Sequence, residues 1–278
     1  MTPESGYVAT RHGQMHYRKT GGGPPLVLLH ATPKSSRSFM PLMQQLAAHH
    51  TVIAPDTLGF GKSDPLPPHL KMETLAEATA DLILALRINP SPIFGLHTGN
   101  KIGAALSAGW PELVSHFILC GMTHSIILNR STREAAIQTL VATPFTKKDI
   151  TDEEKMDREE GAKSIDQIYK ANYDLDLESI LQKIETPTLV LELATPEEDH
   201  LGRQAVAVAE HIPGATAHTF EGSDRDALEL RTPEIAKVIV DFTSDKITLP
   251  STRSMIPENP GWNAASSAPG CGKTKETL

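Results

Sequence analysis

The stretch Ile93-Phe94-Gly95-Leu96-His97-Thr98-Gly99-Asn100-Lys101-Ile102-Gly103-Ala104-Ala105 decides the fold. An apolar pair runs into the pentad Gly-Leu-His-Thr-Gly, and small residues follow at Gly103, Ala104, Ala105 and Ala108. The pattern predicts a strand, a sharp turn with His97 at its tip, and a helix over Asn100–Ala108 that Pro111 stops. A residue at such a tip is pushed into strained backbone and projects into the space beyond the strand. Gly95 and Gly99, two before and two after, allow the strand and helix to approach closely. Free N–H groups in the first turn of the helix favour negative charge that develops beside them.

Working outward, the chain repeats strand and helix. Gly6–Arg11 and Met15–Lys19 read as short strands around the turn His12-Gly13. Leu26–His30 is a continuous apolar run, the pattern of a strand buried on both faces. Phe39, Leu42, Met43 and Leu46 share one helical face within Ser35–His49. Thr51–Ala54 reads as a strand, Leu75–Leu86 as an amphipathic helix and Phe117–Cys120 as a strand. The rhythm breaks over Thr123 to Asp174, which is polar and acidic, and reads as a helical insertion. It resumes with a strand at Thr188–Leu193, a helix at His200–His211, a strand at Thr216–Phe220 and a helix at Pro233–Phe242. This alternation implies an α/β class with a mostly parallel twisted sheet of about eight strands and helices on both faces. The expected division is a core over 1–122 and 175–244, a helical cap over 123–174, and a flexible tail over 245–278.

Composition narrows the function classes. The chain has 278 residues, net charge −8, 39% hydrophobic and 22% charged residues, which suits a soluble globular protein. No basic run offers a nucleic-acid footprint. No apolar stretch reaches the roughly 18 residues needed to span a bilayer, and Met1–Thr20 lacks the apolar core of a secretory leader. The expectation is a cytoplasmic monomer or homodimer with a small-molecule substrate, binding neither nucleic acid nor membrane. The two cysteines, Cys120 and Cys271, do not suggest a disulfide framework. No His/Cys/Asp/Glu spacing suggests a metal, and no Gly-x-Gly-x-x-Gly follows a strand, so chemistry without a cofactor is expected. Gly270-Cys271-Gly272-Lys273-Thr274 has the end of a phosphate-binding loop, but Ser267 stands where that loop needs glycine.

Several segments, in order and spacing, resemble the α/β-hydrolase superfamily over residues 5–122 and 175–243. Leu26–Pro33 resembles its third strand and oxyanion loop, here His30-Ala31-Thr32-Pro33. Ala54–Asp64 resembles its Pro-Asp-x-x-Gly-x-Gly-x-Ser loop. Ile93–Gly103 resembles the nucleophile elbow, with His97 where the family has serine. Ile184–Leu193 resembles the run to the acid, and Phe220–Phe242 the stretch around the catalytic histidine. Counting back from Pro233 lands on Asp226 instead of a histidine.

The resemblance implies oxyanion donors at the backbone N–H groups of Thr32 and Thr98, and an acid after the seventh strand with candidates in Glu197, Glu198 and Asp199, of which Glu198 and Asp199 are the ones expected to reach the site. Imidazole is already a base near neutral pH. A reciprocal swap is therefore expected, with His97 oriented by Asp226, or by Glu198 or Asp199. The pocket is expected to include His30, Ala31 and His124. The leading reading is a cofactor-independent enzyme on a small carbonyl or ester substrate, with His97 as base or nucleophile. Two alternatives are a small-molecule binding protein without turnover and a lyase-type enzyme that abstracts a proton.

Overall fold

Successive residues of the central strands feed two separate cores. Leu26 and Leu28 face one core, and Val27 and Leu29 face the other. Val52 and Ala54 part from Ile53 in the same way, as do Ile118 and Cys120 from Phe117 and Leu119. That period of two, with both faces apolar, is what a sheet covered on both sides requires.

The computed structural model describes residues 3–142, 152–223, 228 and 231–244. Its strands are β1 (Glu4–Thr10), β2 (Gly13–Thr20), β3 (Pro25–Leu29), β4 (Thr51–Pro55), β5 (Ser91–Leu96), β6 (Val114–Met122), β7 (Thr188–Leu193) and β8 (Thr216–Phe220). They form one sheet in the order β1-β2-β4-β3-β5-β6-β7-β8. The β1–β2 and β2–β4 pairs are antiparallel, and the remaining pairs are parallel. The eight-stranded, mostly parallel sheet expected from the alternation is present.

The helices are α1 (Met40–Leu46), α2 (Met72–Leu86), α3 (Thr98–Gly109), α4 (Thr123–Ile126), α5 (Arg130–Ala142), α6 (Asp152–Gly161), α7 (Ile165–Asp174), α8 (Leu177–Leu181), α9 (Ala205–Glu210) and α10 (Thr232–Thr243). One face of the sheet packs on α2, α3 and α9 through Leu75, Ile102 and Val208. The other packs on α1 and α10 through Leu42, Leu46, Ile235 and Ile239. Each such side chain contributes about 1.5–3 kcal/mol on burial.

Two helices are shorter than their periodicity predicts. Ser35–His49 divides into a 3-10 turn at Ser36–Phe39 and then α1, with Pro41 in the first turn of α1. Proline lacks an N–H and suits a helix start, so it begins a new helix here. His200–His211 divides at Gly202, whose φ is 68°, and α9 starts only at Ala205.

Helices α4 to α8 fall between β6 and β7. Of these, α6, the 3-10 turn that follows it and α7 rest on the loops that leave the C-terminal ends of β3 and β4. Asp157 of α6 accepts from Ser35 Oγ at 2.8 Å and pairs with Arg37 at 3.1 Å. Ser164 Oγ donates to the Gly59 carbonyl at 2.9 Å, and Gln167 Nε2 to the Pro67 carbonyl at 2.7 Å. Gly161 sits so close to the loop after β3 that a Cβ there would lie 2.8 Å from the Pro33 carbonyl oxygen. The tail at 245–278, with its Gly270–Thr274 segment, lies outside the described residues. Among the described residues no helix is long and apolar enough to cross a membrane.

Candidate active site

β5 ends at Leu96 and α3 begins at Thr98, leaving His97 alone between them with φ 51° and ψ −105°. That conformation is costly for a residue with a Cβ, and the surroundings hold it. The His97 N–H donates to the Cys120 carbonyl of β6 at 2.9 Å, and Asn100 Nδ2 donates to the same oxygen at 3.2 Å.

The flanking glycines work by sterics. A Cβ on Gly95 would lie 2.4 Å from the Gly99 carbonyl oxygen, and one on Gly99 would lie 2.1 Å from the Leu29 carbonyl oxygen. Both contacts are with backbone, which cannot step aside. Gly99→Ala should therefore destabilise the fold by about 1–3 kcal/mol or more, as overpacking does, and lower the urea midpoint accordingly. An unchanged midpoint would mean that the elbow is looser than described.

The contact of Gly99 with Leu29 also brings the end of β3, and with it His30–Pro33, alongside the elbow. His30 is fully engaged there. Its Nδ1 donates to the Ala31 carbonyl at 2.9 Å, and its Nε2 accepts from the Thr57 N–H at 2.9 Å. A ring that both donates and accepts is neutral. Burial pushes its pKa below the ordinary imidazole value, against smaller opposing effects from the Ala31 carbonyl and Asp56. His30 thus fastens the loop after β3 to the loop after β4. Ala31 is buried beside it. Thr98 opens α3, so its N–H belongs to the first turn, where no intrahelical acceptor exists.

The ring that meets His97 is His124, in the α4 turn that follows β6. The two imidazoles stack, with centroids 5.7 Å apart and planes 20° from parallel. Behind the stack, His124 Nδ1 hydrogen-bonds Glu198 Oε1, and both side chains are buried. A carboxylate only accepts, so His124 carries its proton on Nδ1 and its orientation is fixed.

His97 itself is half-buried. Its pKa lies well below the ordinary imidazole value. Burial is the main cause, followed by the electrostatic influence of His124, Lys101 and Lys34. The ring at the elbow is therefore a neutral base over the physiological range.

Of the two acids expected after β7, Glu198 turns inward and Asp199 does not. The Asp199 side chain is 64% exposed and pairs with Arg203 at 2.9 Å on the surface. The 3-10 turn over Pro196–Leu201 rotates successive residues by roughly 120°, so neighbours cannot both face the elbow. Asp199 is accordingly withdrawn as a candidate to orient His97. Asp226 lies outside the described residues. His200 is exposed, with Nδ1 on the Glu197 carbonyl at 3.0 Å.

Two buried charges at the site are absent from the sequence reading. Glu192, inside β7, accepts from Thr123 Oγ1 at 2.8 Å and from the N–H groups of Gln204 at 3.0 Å and Ala205 at 3.1 Å. It caps α9 and braces the residue before His124. Lys101 lies in α3, one turn beyond His97, with no exposed surface. Each has a signal in sequence: a lone carboxylate in the apolar run Thr188–Leu193, and a lone lysine among the small residues of the elbow helix.

Among the described residues no group of three or more His, Cys, Asp or Glu side chains could hold a metal ion. A groove of about 380 Å³ between α5 and α7, lined in part by Arg130, Glu134, Tyr169 and Tyr173, contains none of the residues above.

The sheet order, the elbow and the glycine contacts correspond to one architecture, and the model of the alpha/beta hydrolase fold matches residues 24–147. The chain has the α/β-hydrolase fold. Among curated proteins, this α/β-hydrolase-fold chain is 24% identical over 241 residues to (E)-2-((N-methylformamido)methylene)succinate hydrolase of Acinetobacter baylyi, covering 79% of the chain and 89% of that protein. It is 30% identical over 114 residues to the soluble epoxide hydrolase of a Corynebacterium species, covering 41% of the chain and 40% of that protein. Most of the other curated relatives are likewise matched over less than half their length. Among solved structures, the enol-lactonase of Burkholderia xenovorans superimposes with a TM-score of 0.66 at 22% identity, over 86% of this chain and all of that one.

Proposed function

We propose that this chain is a cofactor-independent hydrolase of small carbonyl compounds, esters or activated amides, in which His97 is the base at the elbow. One observation carries the reading. A neutral, half-buried imidazole stands at the strained tip of the turn, stacked on a second imidazole that a buried carboxylate holds in place.

His97 takes a proton from water, and the water oxygen bonds to the substrate carbonyl carbon. The carbonyl electron pair moves onto oxygen, where the N–H groups of Thr32 and Thr98 stabilise it. The tetrahedral carbon then re-forms its carbonyl and expels the leaving group. That group takes a proton from His97, which returns to neutral, or through His124. The names of the relatives support hydrolysis, and the first of them acts on an amide of small size. Residues 123–174, as a cap over the loops after β3 and β4, would shield this chemistry from bulk water.

The test is a panel of activated esters, thioesters and formamides with wild type and His97→Ala. Turnover by wild type that disappears in His97→Ala supports the reading. Turnover that survives unchanged removes His97 from it. No turnover on any substrate, with a thermal shift on binding one of them, replaces hydrolysis by binding. Glu198→Gln keeps the size of the side chain and removes its charge. A roughly 10–100-fold loss in kcat is expected from it, as for other groups that orient a functional histidine. Full activity in this variant would take the His124–Glu198 pair out of the mechanism.

A further inference from the structure

We propose that Lys101 is a positioning residue that ties the backbone carrying His97 to the backbone carrying His124, and so sets the stack of the two rings. The inference rests on the reading of His97 as the base, and extends it to the group that holds the base's surroundings.

Lys101 follows His97 by four residues, so its side chain lies one helical turn beyond the elbow on the same face. Its Nζ donates to the Ser125 carbonyl and lies 3.4 Å from the His97 carbonyl oxygen. Ser125 adjoins His124. One amino group thus bridges the main chain of the elbow and the main chain of the turn after β6, at the residue next to the second ring. The His97 N–H on the Cys120 carbonyl also ties the elbow to β6, the strand that leads into that turn.

The arrangement is expensive. Lys101 is fully buried, its Nζ meets the main-chain carbonyls of Ser125 and His97, and it stands in the first turn of a helix, where the dipole disfavours a cation. Arg133 of α5 is buried nearby and is likewise held by carbonyls, those of Ile127 at 2.8 Å and Leu128 at 3.0 Å. A leucine or methionine at 101 would fill the space at less cost. What it would not supply is a strong donor to two carbonyls of separate elements.

The same geometry carries an electrostatic consequence. After burial itself, the groups that lower the His97 pKa are His124 from α4, Lys101 from α3 and Lys34 from the loop after β3. Burial, and after it Arg133, pushes the pKa of Lys101 itself well below the ordinary lysine value. Removing the lysine should let the elbow ring titrate nearer the ordinary imidazole range, and should loosen the stack.

The experiment is an NMR titration of the full chain with isotopically labelled histidine. The His97 and His124 signals are assigned by their loss in His97→Gln and His124→Gln. In wild type the His97 ring is expected to titrate below the ordinary range. In Lys101→Met its midpoint should move upward and the His124 ring shifts should change. Lys101→Arg, which keeps both charge and donors, should stay closer to wild type. Lys101→Gln, which keeps a donor and removes the charge, serves if the methionine variant does not fold, with the same upward movement expected.

With an active substrate, kcat should fall roughly 10–100-fold in Lys101→Met, as small displacements of reacting groups cost. Its acid limb should move to higher pH, while Lys101→Arg, which keeps the donors, should hold both kcat and the limb near wild type, a rescue that simple loss of packing would not give. Coincident His97 titrations in wild type and Lys101→Met, with His124 shifts unmoved, would overturn the proposal. Turnover that persists in His97→Ala would overturn the catalytic reading instead. The ring titrations would then still decide the role of Lys101 by themselves.

Discussion

His97→Ala should lower kcat/KM for any substrate the protein turns over by about 10²–10⁴-fold, the range that a positioned acid–base group supplies. That is about 3–5 kcal/mol of transition-state stabilisation. The loss should fall mainly on kcat, because the backbone donors at Thr32 and Thr98 and the pocket walls remain to bind the ground state. Residual turnover above water is expected for the same reason. The pH profile supplies an independent check. The base works in its neutral form, so activity falls as pH drops through the pKa of His97. Burial, His124, Lys101 and Lys34 all hold that pKa below the ordinary 6.5. The acid limb of kcat/KM should therefore lie below 6.5, with a plateau through neutrality. An acid limb at or above 6.5 would show that a different group titrates, or that His97 is exposed to solvent during turnover. His97→Gln, closer in volume than alanine, should lose a similar factor, which separates loss of the base from loss of packing against His124.

The sheet and the elbow are legible in sequence because both rest on local sterics. Runs such as Leu26–His30 and Thr188–Leu193 have no polar face to expose, and the Gly95 and Gly99 spacing leaves the backbone one close-packed solution. The site partners are less legible. His124 and Glu198 are 74 positions apart, and only the parallel pairing of β6 with β7 brings them together. Sequence narrows the acid to Glu198 or Asp199. The choice between them depends on the rotation of a 3-10 turn that periodicity does not register. Lys101 is harder still. Lysine in a helix ordinarily lies on the solvated face, and only the burial of α3 on both sides reverses that. His16 and Asp56 show the same blind spot. Asp56 is visible in the loop Ala54–Asp64, while its partner sits in β2, in a strand that reads as an ordinary edge element.

Asp56→Ala should destabilise the protein by about 3–5 kcal/mol, the cost of breaking a buried, hydrogen-bonded charge pair. Asp56 is buried and accepts from His16 Nδ1 at 2.8 Å, from the Ser36 N–H at 2.8 Å and from the Lys62 N–H at 2.9 Å. It therefore joins β2, the 3-10 turn after the oxyanion loop, and the glycine-rich loop after β4. Removal strands three donors, two of them main chain, where water has little access. Gly61 adds a steric signature: a Cβ there would lie 2.2 Å from Asp56 Oδ2, so the loop is closed around the carboxylate. Burial alone would raise the carboxyl pKa, but the bonds from His16, Ser36 and Lys62 outweigh it and hold the pKa well below the ordinary 3.8. The sign of the pH dependence follows. The unfolded chain takes up the proton first as pH falls, so this contribution is complete above the unfolded carboxylate range and is lost as pH drops through 3.8 toward the folded value. Urea midpoints measured from pH 7 down to pH 3 should fall for wild type below about pH 5, and fall less steeply for Asp56→Ala. Asp199→Asn, on an exposed pair with Arg203, should leave the midpoint at neutral pH almost unchanged. If Asp56→Ala unfolds at the same urea concentration as Asp199→Asn, the carboxylate does not hold the two loops, and the oxyanion strand has another anchor.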